Sequence, residues 1–285
     1  MSVAPFLLPP PTQIRSVDLQ VSDLARVLGF YHDILGFRIL RQDGSTAWLS
    51  ADGGSPYRIA LARLPGAIPR PRRSTGLFHV AIRYPTESAL AIALQHLLKH
   101  QYPLNGAADH GVSRALYLVD PDGIGIELYT DRMRSEWPMN GSELAMVTEE
   151  LDMRGLISMA GGSGWSGIDP ATDIGHVHLQ VSSLDKAKQF YCNSLGFQVT
   201  QSSYPGALFV AAGGYHHHIG LNTWASLNAP PAPSESVGLL RFTIATDRVA
   251  LIHLADQVGL ALEEGANQLN LTDPDGMKLS VIAGD

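Results

Sequence analysis

Cysteine is nearly missing from this chain of 285 residues. Cys192 stands alone, so neither an intrachain disulfide nor a cysteine-built metal cluster can form. Charge is sparse as well: Asp, Glu, Lys and Arg make up 16% of the residues and the net charge is −7. The basic side chains are scattered, apart from Arg70, Arg72 and Arg73 beside prolines. Phosphate backbones are held by concentrated Lys and Arg, so a nucleic-acid partner is not expected. No apolar run approaches the ~20 residues that cross a bilayer, and the opening MSVAPFLLPPPTQ has neither a basic region nor a long apolar core. A cytoplasmic protein without a membrane partner is the expectation.

What the chain does contain is a repeat. SVDLQVSDL and FYHDILGFRIL return as HVHLQVSSL and FYCNSLGFQVT, 160 residues later. In both copies Val17, Leu19, Val21 and Val177, Leu179, Val181 alternate with the two-residue period of a half-buried strand. Leu24, Val27, Leu28 and Tyr31 follow at helical spacing, and Gly36 and Gly196 end the helices before the next strand. Two further units open at FHVAIRYPT and LRFTIATD, continue through ALAIALQHLLKH and VALIHLADQVGLAL, and close after the turn Asp-Pro-Asp-Gly at Asp120 and Asp273. Four βαβββ modules result, at about 14–65, 76–131, 174–224 and 238–283. The length suits two domains: 12–132 (modules one and two) and 173–285 (modules three and four), joined by a connector at 133–172 in which Glu143 to Ile157 reads as a helix. A module this short cannot bury its sheet alone, so modules must combine, and the concave faces of combined sheets make clefts.

The informative residues are those that break the repeat. Opening strands carry Ser16, His79, His176 and, with a one-residue shift, Phe242 at corresponding places, and closing strands carry Ile59 or its neighbours, Glu127, Gly220 and Ser280. Metal-competent side chains occur in modules two and three alone. His79, His176 and Glu127 are the set that a two-histidine, one-carboxylate iron or manganese site needs. His178 competes with His176, but His176 shares the register of His79, because Val181 and Tyr84 each follow five places on. In Tyr215-His216-His217-His218 successive strand residues alternate faces, so all three imidazoles cannot serve one centre. His218 stands closest to the closing slot and is the candidate proton donor or acceptor. The plain alternative for each of these residues is a hydrogen-bonded or packed side chain, and for Glu127 a solvated one. GGSGWSG lacks the strand and lysine of a phosphate loop, and Ser163 and Ser166 form no nucleophile elbow.

These segments, with DHGVSRALYLVDPDGIGIELY and AGGYHHHIGLNTWA, resemble the vicinal-oxygen-chelate superfamily. Within it they resemble the two-domain catechol 2,3-dioxygenases, over about residues 14–283. The resemblance implies an α+β fold of four βαβββ modules in two vicinal-oxygen-chelate domains. It further implies Fe(II), with Mn(II) as the alternative, held by His79, His176 and Glu127. His218 matches the acid/base histidine of extradiol dioxygenases, Tyr117 their active-site tyrosine, and His110 a further substrate-binding histidine. The implied partners are a small aromatic diol and O2, and a homo-oligomer is compatible with the pattern. Trp48, Phe209 and Trp224 are candidate apolar walls. One departure stands out: the commonest extradiol layout puts the metal in the C-terminal pair of modules, whereas here modules two and three must share it. That arrangement resembles some hydroquinone-cleaving relatives. A glyoxalase-like metal isomerase, with His218 as a fourth ligand, and a non-enzymatic binding protein of the same fold are the alternatives.

Overall fold

The computed structural model describes residues 6–260 and 265–284. Module one supplies β1 (Gln13–Val21), α1 (Leu24–Gly29), β2 (Arg38–Asp43), β3 (Thr46–Ser50) and β4 (Ile59–Arg63). Module two supplies β5 (Gly76–Arg83), α2 (Glu87–Lys99), β6 (Gly106–Asp109), β7 (Ser113–Val119) and β8 (Gly125–Asp131). The connector carries β9 (Met139–Asn140), β10 (Glu143–Leu144), β11 (Glu149–Glu150) and α3 (Met153–Ser158). Module three follows with β12 (Asp173–Gln180), α4 (Leu184–Lys188), β13 (Gln198–Gln201), β14 (Ala207–Ala211) and β15 (Ile219–Asn222). Module four has β16 (Gly238–Thr246), α5 (Arg248–Gln257), β17 (Gln268–Thr272) and β18 (Lys278–Ala283). Ala261 and Leu262, into which the helical pattern continues, lie outside the described residues.

The strands form two large sheets, and the partners cross the sequence repeat. Modules one and four make a seven-stranded sheet in the order β17-β18-β16-β1-β4-β3-β2. Modules two and three make a nine-stranded sheet in the order β11-β6-β7-β8-β5-β12-β15-β14-β13. In both, opening strands of two modules pair antiparallel at the centre, β1 with β16 and β5 with β12. The alternating Val17, Leu19, Val21, Val177, Leu179 and Val181 are all fully buried, so one face of each sheet meets the helices and its opposite face is left for polar groups.

Modules adjacent in sequence are tied by the two Asp-Pro-Asp-Gly turns. The Asp122 carboxylate accepts from Ser22 N–H at 2.7 Å and Ser22 O–H at 2.6 Å, and it also meets Arg26. The Asp275 carboxylate accepts from Ser182 N–H at 3.0 Å in the same way. Asp120 and Asp273 close their own turns by accepting two backbone N–H groups each, and the buried Tyr191 hydroxyl donates to Asp273 at 2.9 Å. The molecule is therefore cross-braced: strands join modules one to four and two to three, while turns join one to two and three to four.

The connector differs from its sequence expectation. Its helix covers Met153–Ser158 rather than Glu143 to Ile157, because Asp152 caps Gly155 N–H and the chain before it is extended. Glu149 and Glu150 there pair with Asp109 and Ala108, and Leu144 and Met146 are buried against Val112 and Phe209.

Burial pushes the carboxyls of Asp120 and Asp273 up to about 6. The native state thus keeps protons that the unfolded chain loses nearer pH 4, so these groups favour folding below pH 4 and lose that contribution as pH rises to 6. The Asp120→Asn, Asp273→Asn double variant should gain stability relative to the parent across pH 4 to 6.5 in urea unfolding.

Candidate metal centre

Strand β5 lies at the middle of the nine-stranded sheet, with β8 parallel on one side and β12 antiparallel on the other. Ala81 is opposite Glu127 on β8 and opposite His176 on β12. His79, two residues earlier, is on the same face as Ala81. The alanine methyl leaves the space into which the three larger side chains converge. Gly125 beside His79 answers a similar constraint: a Cβ there would lie 2.2 Å from the Phe78 carbonyl oxygen and 3.1 Å from His79 Cβ.

The His79 Nε2 and His176 Nε2 atoms lie 2.9 and 3.2 Å from Glu127 Oε2, and 3.4 Å from each other. A first-row divalent cation binds imidazole nitrogen and carboxylate oxygen at about 2.1 Å, so adjacent donors on one face of an octahedron stand about 3 Å apart. The triangle has that size. All three side chains are buried, and they are the described group of ligand-type side chains close enough to share an ion. Burial alone would raise the Glu127 carboxyl, but the adjoining imidazoles of His176 and His79 hold it well below the ordinary carboxylate range. Burial pushes the His176 imidazole down to about 4. A charged carboxylate beside a neutral imidazole is the protonation state that metal ligation requires.

The triangle opens onto a cavity of about 310 Å³. Tyr117, the cross-strand neighbour of Glu127, and His110 line it together. His110 Nδ1 is 2.6 Å from the Val147 carbonyl, which can only accept, so Nδ1 carries the proton and Nε2 accepts the Tyr117 hydroxyl at 2.6 Å. Burial, and then the charge of Glu127, raises the Tyr117 phenol well above its usual range. Phe209 and Trp224 wall the cavity as the sequence suggested. Trp48 does not, because it lies on β3 under the Arg41 guanidinium.

His218 is displaced from its expected place. It lines a separate cleft with Arg83, Asp131 and Tyr215, and its Nδ1 accepts Ala212 N–H at 3.2 Å. The side chain that enters the cavity is His217, whose ring centroid is 4.0 Å from that of His176. The cause is local. Regular strand begins at Ile219, after a turn with positive φ at Gly213 and Gly214, so the alternation assumed for residues 216–218 does not apply to them. His216 lies behind His217, with Nδ1 2.7 Å from the Nδ1 of His217 and Nε2 2.8 Å from Asp131 Oδ1. Sequence reasoning also missed Phe78, Tyr204 and the connector residues Met146, Val147 and Thr148, which complete the cavity wall.

The glyoxalase/bleomycin resistance protein/dioxygenase superfamily profile matches residues 13–128 and 173–281. The chain belongs to that superfamily. It is 43% identical over 271 residues to the catechol-2,3-dioxygenase of Bacillus subtilis (strain 168), covering 92% of this chain and 94% of the relative. A biphenyl-2,3-diol 1,2-dioxygenase 3 of Rhodococcus globerulus is 31% identical over 115 residues, 40% of this chain and 60% of the relative. Among solved structures, one from Bacillus subtilis subsp. subtilis str. 168 has a TM-score of 0.65 at 12% identity, covering 98% of this chain and 86% of its own. Glyoxalase I of Zea mays has a TM-score of 0.55 at 17% identity, covering 95% and 92%. The last two show the fold alone. No described helix is long and apolar enough to cross a membrane.

Burial pushes the His218 imidazole down to about 3. The unfolded chain takes up this proton near pH 6.5, so the stability that His218 contributes is full above that pH and is lost as pH falls toward 3. In denaturant titrations between pH 6 and 4, His218→Gln should lower the pH slope of stability by about 1.4 kcal/mol per pH unit.

Proposed function

We propose that this protein is a non-haem, metal-dependent extradiol dioxygenase that opens the ring of a catechol beside its diol, giving a muconic semialdehyde-type product. The observation that carries the reading is the triangle of His79, His176 and Glu127 facing a cavity that also holds Tyr117, His110 and His217. The likeness to a catechol-2,3-dioxygenase over nearly the whole length of both chains supports it. Fe(II) is the expected ion, with Mn(II) as the alternative. His79, His176 and Glu127 would hold such an ion, which would supply Lewis-acid chemistry, lowering the diol pKa and bringing diol and O2 together.

The chain's own groups supply the rest. Tyr117 holds its proton firmly and donates it in a hydrogen bond to His110 Nε2, so its oxygen is oriented to receive a hydrogen bond from a diol hydroxyl. Asp131 accepts from His216 Nε2–H, which leaves His216 Nδ1 to accept from His217 Nδ1–H. His217 Nε2 is then the free nitrogen on the cavity side, able to take a proton from the diol and return it during ring opening. Phe209 and Trp224 keep water from the reacting ring. The isomerase alternative needs His218 as a fourth ligand, and His218 lies in a different cleft.

After anaerobic loading with Fe(II), catechol should drive oxygen uptake with a yellow product, and Glu127→Ala or His79→Ala should abolish both. His217→Asn should lower kcat by roughly 100-fold or more. His218→Asn should stay within a few-fold of the parent, and the reverse ranking would return the proton-transfer role to His218. No uptake with catechol or alkylcatechols by metal-loaded protein would reject the dioxygenase reading.

A further inference from the structure

His178 is used by neither the metal triangle nor the proton-transfer groups, yet it is placed with care. It stands directly opposite His79 across the β5 and β12 pair and beside Gly220 on β15. A Cβ on Gly220 would come within 2.9 Å of the imidazole, so the ring lies over the space that a side chain would fill. Phe78, Trp224 and Phe209 surround it, with ring centroids 5.3, 5.5 and 5.8 Å away. His178 lines the cavity, is 4% exposed, and its buried Nε2 has no hydrogen-bond partner. A buried polar atom without a partner is costly, and on a residue that lines a cavity that cost is relieved when a ligand group moves in to supply the partner.

We propose that His178, with Phe78 and Trp224, forms a subsite for a ring substituent of the diol that accepts uncharged groups, prefers those able to hydrogen-bond, and rejects carboxylates. This rests on the dioxygenase reading and specifies its substrate class. The rejection follows from what the cavity offers. Among the described residues that line it, none is Lys or Arg. Arg70 and Arg72 line an adjoining cleft, and Arg70 is already engaged by Gln180 and the Ser74 carbonyl. A carboxylate on the ring would therefore lose its water and gain no counter-charge. The volume, at the small end for ligand pockets, suits one ring with a short substituent.

The test compares catechols bearing methyl, hydroxymethyl or carboxylate at the two distinct ring carbons beyond the diol. Dissociation constants come from anaerobic titration of the Mn(II)-loaded protein, and kcat/KM from oxygen uptake by the Fe(II)-loaded protein. The hydroxymethyl compounds should bind at least as tightly as the methyl compounds, and the carboxylates on the order of 100-fold more weakly. In His178→Leu the preference for hydroxymethyl over methyl should fall roughly 10-fold, chiefly in KM. The variant's bound-metal content and circular dichroism report whether the site is otherwise intact, and His178→Asn should restore part of the preference. A carboxylate bound as well as its hydroxymethyl counterpart, or an unchanged preference in His178→Leu, overturns the subsite. If plain catechol is bound but never consumed, the dioxygenase reading fails while the binding ratios still decide the subsite.

Discussion

One buried carboxylate organises this molecule. Glu127 is surrounded by the sheet, lies within about 3 Å of two imidazole nitrogens, and keeps its charge in a place that would otherwise expel it. An uncompensated buried carboxylate is strongly unfavourable, so Glu127 demands either a proton or a cation. The neutral His176 imidazole beside it makes the cation the better answer. The surrounding architecture serves to hold three donors from three strands at that spacing.

The placement depends on which modules share a sheet. Had modules one and two paired their opening strands, His79 would face β1, whose strand offers Ser16 and Asp18 in place of imidazoles. Pairing β5 with β12 brings both histidine-bearing openings together and leaves the other sheet without a metal set. In that second sheet Asp18 faces Arg241 across β1 and β16, in the relation that His178 has to His79, and the two form an ion pair at 2.8 Å. The duplicated fold thus has one centre open to a ligand and a counterpart closed by its own side chains. The turn contacts of Asp122 with Ser22 and of Asp275 with Ser182 tie the two sheets to each other.

Much of this was legible in the sequence because it depends on periodicity. The module order, the buried face of each opening strand, and the special status of His79, His176 and Glu127 all follow from a two-residue period and a 160-residue repeat. The failures occur where the period stops. At residues 216–218 the backbone has left the turn of Gly213 and Gly214 but has not yet entered β15, so counting faces selected His218 where the fold presents His217. In the connector, Met146 to Thr148 reach the cavity through contacts with distant strands, and composition carries no trace of such contacts. Trp48 was aromatic and on a strand of the repeat, yet it belongs to the sheet that lacks the metal set.

The most direct measurement is the metal itself. Anaerobic calorimetric titration of the demetallated protein with Fe(II), repeated with Glu127→Ala, should give one ion per chain for the parent and a large loss of affinity for the variant, with X-ray absorption showing only nitrogen and oxygen neighbours. Binding that is undiminished without the Glu127 carboxylate, or a parent protein that takes up no divalent ion, would contradict the account.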